Sequence, residues 1–172
     1  NNILLLAVPF FIISVILENI YNYYYKSDYT ELKDTFASLA MGLGNISISI
    51  LTKGISLSFY YLLYNYKIFE LGNQYWVWLL IIFSDDFSYY WFHRFSHKCR
   101  YYWASHVIHH SSKKYNLSTA LRQTWTGNIM GSFIFWFWLP IIGFHPLMII
   151  TMKNINLIYQ FWIHTETINK MP

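Results

Sequence analysis

At 172 residues the chain is long enough for one domain and too short for two of ordinary size. Apolar residues make up 55% and charged residues only 12%, about half the charged share of a soluble globular domain. That composition excludes an ordinary charge-coated soluble protein, whereas a bilayer replaces water around apolar faces. The 22% aromatic content, with 16 Tyr and 8 Trp, suits anchoring at two membrane interfaces, so membrane lipid rather than nucleic acid is the expected partner. The single cysteine, Cys99, cannot form an internal disulfide and implies no oxidising compartment.

The sequence opens at Asn1-Asn2 without an initiator Met and is expected to be a piece of a longer chain. Its first apolar run, about residues 3–20, ends in Tyr21, Tyr23, Tyr24 and Tyr25 followed by Lys26, as at a headgroup boundary. It lacks a basic leader and a small-residue cleavage site, which predicts a retained helix rather than a signal peptide. A second span is expected over about residues 36–64. Its Gly42, Gly44 and several Ser predict close packing against a partner helix. A third runs from about Tyr75 to Phe92 and is strongly apolar until Asp85-Asp86. The last apolar stretch, about residues 129–163, is broken at Gly143-Phe144-His145-Pro146. Each half falls short of the roughly 20 residues a span needs, which predicts a hairpin that enters the membrane, turns and returns.

Basic residues set an orientation. Arg94, Lys98, Arg100, Lys113, Lys114 and Arg122 fall between the third span and the hairpin, and Lys26 and Lys33 between the first two spans. The positive-inside rule makes that side cytosolic and leaves the Lys67–Glu70 loop and the hairpin tip on the other. The expected fold is therefore all-α, a multi-span membrane helical bundle with a cytosolic histidine-rich cap. It forms one domain over 1–172, with N-terminal spans in 1–74 and a histidine-box region in 75–172. The sequons at Asn45 and Asn116 fall in a span and on the cytosolic face, so neither is expected to carry glycan.

Five of the seven histidines lie within 18 residues, as His93-x-x-x-His97 and His106-x-x-His109-His110. On a helix, positions i, i+3 and i+4 share a face, so each segment aims two or three imidazoles at one point. Neutral imidazole ligates iron, zinc, copper and nickel. A lone interfacial histidine is usually a half-buried amphipathic side chain, and His145 at the hairpin tip is read that way. Five together would crowd titratable rings beside many cations without structural return, so they predict a metal site. His164, returning to the same side before Glu166, is expected to join them. No H-E-x-x-H of a zinc protease is present. Six imidazoles exceed what one tetrahedral ion uses, which predicts two metals, and in a lipid setting iron with oxygen.

The string from Asp86 to His97 (Asp-Phe-Ser-Tyr-Tyr-Trp-Phe-His-Arg-Phe-Ser-His) resembles the first histidine box of the fatty acid hydroxylase/sterol desaturase superfamily. Trp103-Ala-Ser-His-Val-Ile-His-His-Ser-Ser112 resembles the second. Tyr115-Asn-Leu-Ser-Thr-Ala-Leu-Arg-Gln123 and Tyr159-Gln-Phe-Trp-Ile-His-Thr-Glu166 are similar to its alkylglycerol monooxygenase branch, so the match covers about residues 85–167. The resemblance implies an endoplasmic-reticulum oxidoreductase with a di-iron centre, using molecular oxygen and reduced by tetrahydrobiopterin or another electron donor, such as a redox protein. It would hydroxylate the carbon beside an ether oxygen of its lipid substrate, and the resulting hemiacetal would collapse to a fatty aldehyde and glycerol. On this carry-over His93, His97, His106, His109 and His110 are iron ligands, and His164 is a ligand or lies beside one. Asp86, costly near the membrane end of the third span unless partnered, is expected either to accept a hydrogen bond from a ligand imidazole or to serve only at the helix end. Tyr115, Asn116, Arg122 and Gln123 are candidates to shape the site without an assigned role. The family carries a third box, H-x-x-H-H, downstream of the His164 position, so residues 1–172 alone are expected to lack about three ligands. Lys98 stands where the branch often has an acid.

A fatty acid or sterol hydroxylase or desaturase of the same superfamily is the nearest alternative, because box chemistry alone does not choose the lipid. A membrane haem protein would need histidine pairs on facing helices within the bilayer, and a metal-binding protein without catalysis would place them in the spans.

Overall fold

The computed structural model describes residues 3–25, 28 and 31–167. Among these residues it is helical throughout, without strands. In chain order come α1 (Ile3–Tyr24), α2 (Leu32–Tyr64), α3 (Tyr75–Lys98), α4 (Arg100–His106), α5 (Leu117–Ala120), α6 (Trp138–Ile142) and α7 (Pro146–Phe161). Short 3₁₀ turns lie at His109–Ser111 and Ser132–Trp136. Lys26 of the expected headgroup boundary falls outside the described residues.

α1 and α2 are long and apolar enough to cross a membrane. Their outward faces carry large apolar side chains, among them Leu6 (81% exposed) and Leu51 (79% exposed). Water would penalise such faces, whereas lipid does not. α3 is a single helix that continues past Phe92 to Lys98, so the expected third span and the first histidine pair share one rigid element.

α7 is the central strut and packs against α1, α2 and α3. The main core joins Tyr60, Val77, Ile81, Trp136, Leu139 and Ile149. A smaller one joins Phe11 and Val15 of α1 to Leu117, Ala120 and Phe161, with the Phe11 and Phe161 rings stacked at 4.3 Å. This second core attaches α1 to the segments that flank the histidines.

The hairpin turns where the sequence places its break. Gly143 has φ 127°, and a Cβ there would lie 2.1 Å from the Phe69 carbonyl oxygen, so only glycine fits. Ile68 and Phe69 donate their backbone N–H groups to Ile141 and Ile142 at 2.8 and 3.1 Å, which ties the α2–α3 loop to the hairpin tip. Pro146 then starts α7, and the His145 side chain accepts from Leu147 N–H as its cap. His145 packs edge-on against Tyr61 and Tyr64, far from the other histidines in role.

The first leg of the hairpin is a 3₁₀ turn followed by five-residue α6. Its indoles hold it to α3: Trp136 Nε1 donates to Asp85 (2.7 Å) and Trp138 Nε1 to Ser88 (3.0 Å). α2 packs against α5, α6 and α7, and the chain after α5 also lies close against its small residues. A Cβ on Gly44 would fall 2.2 Å from the Trp125 ring, one on Gly42 2.7 Å from the Leu121 carbonyl oxygen, and Trp125 Nε1 donates to Met41 O.

Candidate metal centre

α3 ends at Cys99, whose extended backbone (φ −104°, ψ 121°) reverses the chain so that α4 folds back beside α3. His93 and His97, one turn apart on α3, thereby meet His106 at the end of α4 and His110 on the following turn. One ligand atom from each of these four rings lies within 4.8 Å of all the others. His93 and His97 approach Nε2 to Nε2 at 3.0 Å, and His106 and His110 do the same at 3.0 Å.

His109 and His164 form a second locus. His109 Nδ1 lies 3.2 Å from the Arg122 carbonyl oxygen, and His164 Nδ1 lies 2.7 Å from that of Gln160. A carbonyl only accepts, so each Nδ1 carries the ring hydrogen and each Nε2 keeps its lone pair. Those two Nε2 atoms face each other at 3.2 Å. Two lone pairs at that distance repel unless a cation lies against them. The two loci are adjacent, with the His106 and His109 ring centroids 5.6 Å apart.

Electrostatics favours the ligating form. Burial, then the neighbouring rings, lowers His106 to about 3. Burial, followed by the neighbouring His164, His110 and His93 rings, lowers His109 to about 4, against the opposing hydrogen bond that its ring donates to the Arg122 carbonyl. His110 is lowered by burial and by His97 and His164. These rings are neutral near pH 7, which metal binding requires.

The surrounding hydrogen bonds come from α3, α7 and the 3₁₀ turn that ends at Trp136. Asp86 accepts from Asn156 (3.0 Å) and not from an imidazole. The neighbouring Asp85 is buried and accepts from both Asn156 and Trp136 at 2.7 Å. Gln160 donates to Asn156 Oδ1 (2.7 Å), and its backbone carbonyl takes His164, so the carboxylates reach a ring through two α7 amides. Tyr89 OH lies 3.3 Å from His93 Nδ1. Asn156, Gln160 and His164 recur every four residues, a signal present in the sequence but hidden within an apolar stretch.

Arg122 ties the second box to α2. It ion-pairs with Asp34 at 2.5 Å and donates to Ser38 and Ser111, while its carbonyl orients His109. Tyr115 donates to Ile163 O (2.9 Å), just before His164. Asn116 is buried as the cap of α5 and Gln123 donates to Ala120 O, so both shape the loop. Glu18, the lone carboxylate of α1, is buried and accepts from Leu117 N–H (2.8 Å), Thr165 and Thr167. A single acid in an apolar helix was the signal for it.

The donor set fits iron: up to six imidazoles at two adjacent loci. The model of the fatty acid hydroxylase family matches residues 78–172, more than half of the sequence. The chain belongs to the fatty acid hydroxylase family. It is similar to alkylglycerol monooxygenases of several animals. That of Xenopus tropicalis is 36% identical over 170 residues, covering 96% of this chain and 37% of the relative. That of Homo sapiens is 38% identical over 170 residues with the same coverage. That of Caenorhabditis elegans is 31% identical over 145 residues, covering 81% of this chain and 28% of the relative. The chain thus spans a little over a third of the length of the first two relatives. No solved structure matches.

Proposed function

We propose that this chain is part of a membrane-embedded di-iron lipid monooxygenase that cleaves alkylglycerols by hydroxylating the carbon beside the ether oxygen. The observation that carries the reading is the pairing of a four-imidazole cluster with a facing imidazole pair 3.2 Å apart. His93, His97, His106 and His110 would hold one iron and His109 with His164 would contribute to the second. Bound iron would activate molecular oxygen, with tetrahydrobiopterin or another donor supplying two electrons, so that one oxygen atom enters the C–H bond and the other leaves as water.

The chain's own residues prepare the site. The Arg122 and Gln160 carbonyls fix which nitrogen of His109 and His164 is free. Burial keeps His106 and His109 deprotonated. Asp86, through Asn156 and Gln160, steadies the His164 end of α7. The hydroxylated carbon is a hemiacetal and collapses to a fatty aldehyde and glycerol. The helices form one domain, with multiple spans (1–74 and the third from Tyr75) and the histidine face towards the cytosol of the endoplasmic reticulum. Lipid then enters from the bilayer and the soluble reductant from the water side.

The test is the metal content of the full-length protein purified in detergent, beside a His109→Ala/His110→Ala variant. About two irons per chain, lost in the variant along with fatty aldehyde release, is the expected result. One zinc, unchanged in the variant, would overturn the reading. The family match itself favours a second reading, a fatty acid or sterol hydroxylase. Product analysis with alkylglycerol, sterol and ceramide separates the two.

A further inference from the structure

We propose that the cavity inside the helical bundle seats the oxygen-bearing head of the lipid, with Lys153 as its recognition residue, so that the lipid binds head inward. The inference rests on the lipid-monooxygenase reading and adds an orientation and a specificity contact to it. The cavity encloses about 270 Å³, and His106, His109 and His164 are part of its wall. That is at the small end of small-molecule pockets, about 300–1,000 Å³, and suits a compact head better than a long alkyl chain.

The lining is largely apolar, but its α2 and α7 sides carry polar groups that a hydrocarbon tail would leave without a partner. On α2, Asn45, Ser49, Thr52 and Ser56 line it at helical spacing, along one face of a helix apolar enough to cross a membrane. Polar groups at such a depth are costly unless they face protein or a polar occupant. This stripe is also why α2 reads as the weakest of the apolar stretches in sequence.

On the α7 wall, the Lys153 ammonium lies 3.6 Å from the centroid of the Trp136 ring. The indole N–H of that ring donates to Asp85, which also attracts Lys153 through space. Among the described residues no carboxylate comes within ion-pair distance of this ammonium, and its three N–H donors have no acceptor. The Asp85 oxygens accept from Trp136 and Asn156, and neither lies within ion-pair distance of the ammonium. The cavity therefore presents a cation with free donors, which calls for oxygen acceptors. The hydroxyl oxygens of a glycerol head supply them, as does a phosphate; an alkyl tail supplies none. With the head seated here, the first carbon of the tail lies towards the histidines.

Two measurements test this on the detergent-purified protein. In the unmodified protein, a hexadecylglycerol carrying a photoreactive diazirine on the head is expected to label peptides containing Thr52 or Lys153. Labelling of these peptides by a tail-end diazirine instead would overturn the orientation. Equilibrium binding then compares hexadecylglycerol, its phosphate ester and hexadecyl methyl ether in wild type and Lys153→Met. The variant should weaken hexadecylglycerol or its phosphate about tenfold and leave the methyl ether unchanged, and Lys153→Arg should restore most of the loss. A larger loss for the phosphate ester assigns a phosphorylated head, and a larger loss for the glycerol a neutral one. Equal loss on all three probes, or none, overturns the role of Lys153. Binding and labelling need no turnover, so absent ether cleavage would sink the activity reading while leaving this inference standing on its own data.

Discussion

At the scale of single residues, His93, His109 and His164 are each held by a partner that is not a histidine, and they carry the other rings with them. Arg122 is the clearest case. Its guanidinium and Asp34 are both nearly buried, with side chains 8% and 10% exposed, and its carbonyl sets His109. Breaking such a pair on one side leaves an uncompensated buried charge, so Asp34→Asn is expected to cost about 3 kcal/mol. Denaturation of the purified protein measures the loss, and Arg122→Met in the same background should recover part of it. The rings also predict a pH dependence. His106 at about 3 and His109 at about 4 sit below the ordinary value of 6.5. Their folded values are depressed, so the unfolded chain takes up these protons first as pH falls. Stability of the metal-free protein is then full above about pH 6.5 and is lost progressively as pH falls towards about 3. Melting temperatures recorded across that window check it, and a flat profile would mean the rings are not buried together.

At the scale of elements, α7 decides how the parts meet. It carries Lys153, Asn156 and Gln160 on the face turned to the cavity and delivers His164 at its end. Its placement depends on the turn before it. Replacing Gly143 with Ala would put a methyl group against the Phe69 carbonyl in a backbone conformation that L residues rarely adopt. Gly143→Ala is expected to cost about 2–3 kcal/mol and lower the melting temperature by several degrees. Because Gly143 lies at the far end of α7 from His164, iron content per folded molecule should fall less than stability does. The turn was legible in Gly-Phe-His-Pro, and so was its return towards the histidines. The short, irregular first leg was not, because the apolar run hides the indole hydrogen bonds to Asp85 and Ser88 that replace helical continuity.

At the scale of the molecule, the arrangement separates a lipid-like exterior from a histidine face rimmed by Arg94, Lys98, Lys113 and Lys114. The single Cys99 sits at the α3–α4 break, partly exposed and near that face, so it reports orientation. In sealed microsomes a membrane-impermeant maleimide is expected to label Cys99 from the cytosolic side. A cysteine placed at Lys67, with Cys99 replaced by Ser, should react only after permeabilisation. The reverse pattern would invert the topology drawn from the basic loops.

The sequence by itself determined the helical class, the apolar segments and the two histidine motifs. These are written in local periodicity and residue type, which do not depend on distant contacts. His93/His97 and His106/His110 could be paired from helical spacing alone. The tertiary structure decided which nitrogen His109 and His164 present, that His109 turns from its neighbours to His164, and that Asp86 reaches a ring only through α7 amides. It also decided that Asp85, Tyr89 and Glu18 matter, residues whose partners lie on other elements. Hydrogen bonds between segments far apart in the chain are set by packing, and packing has no local signature.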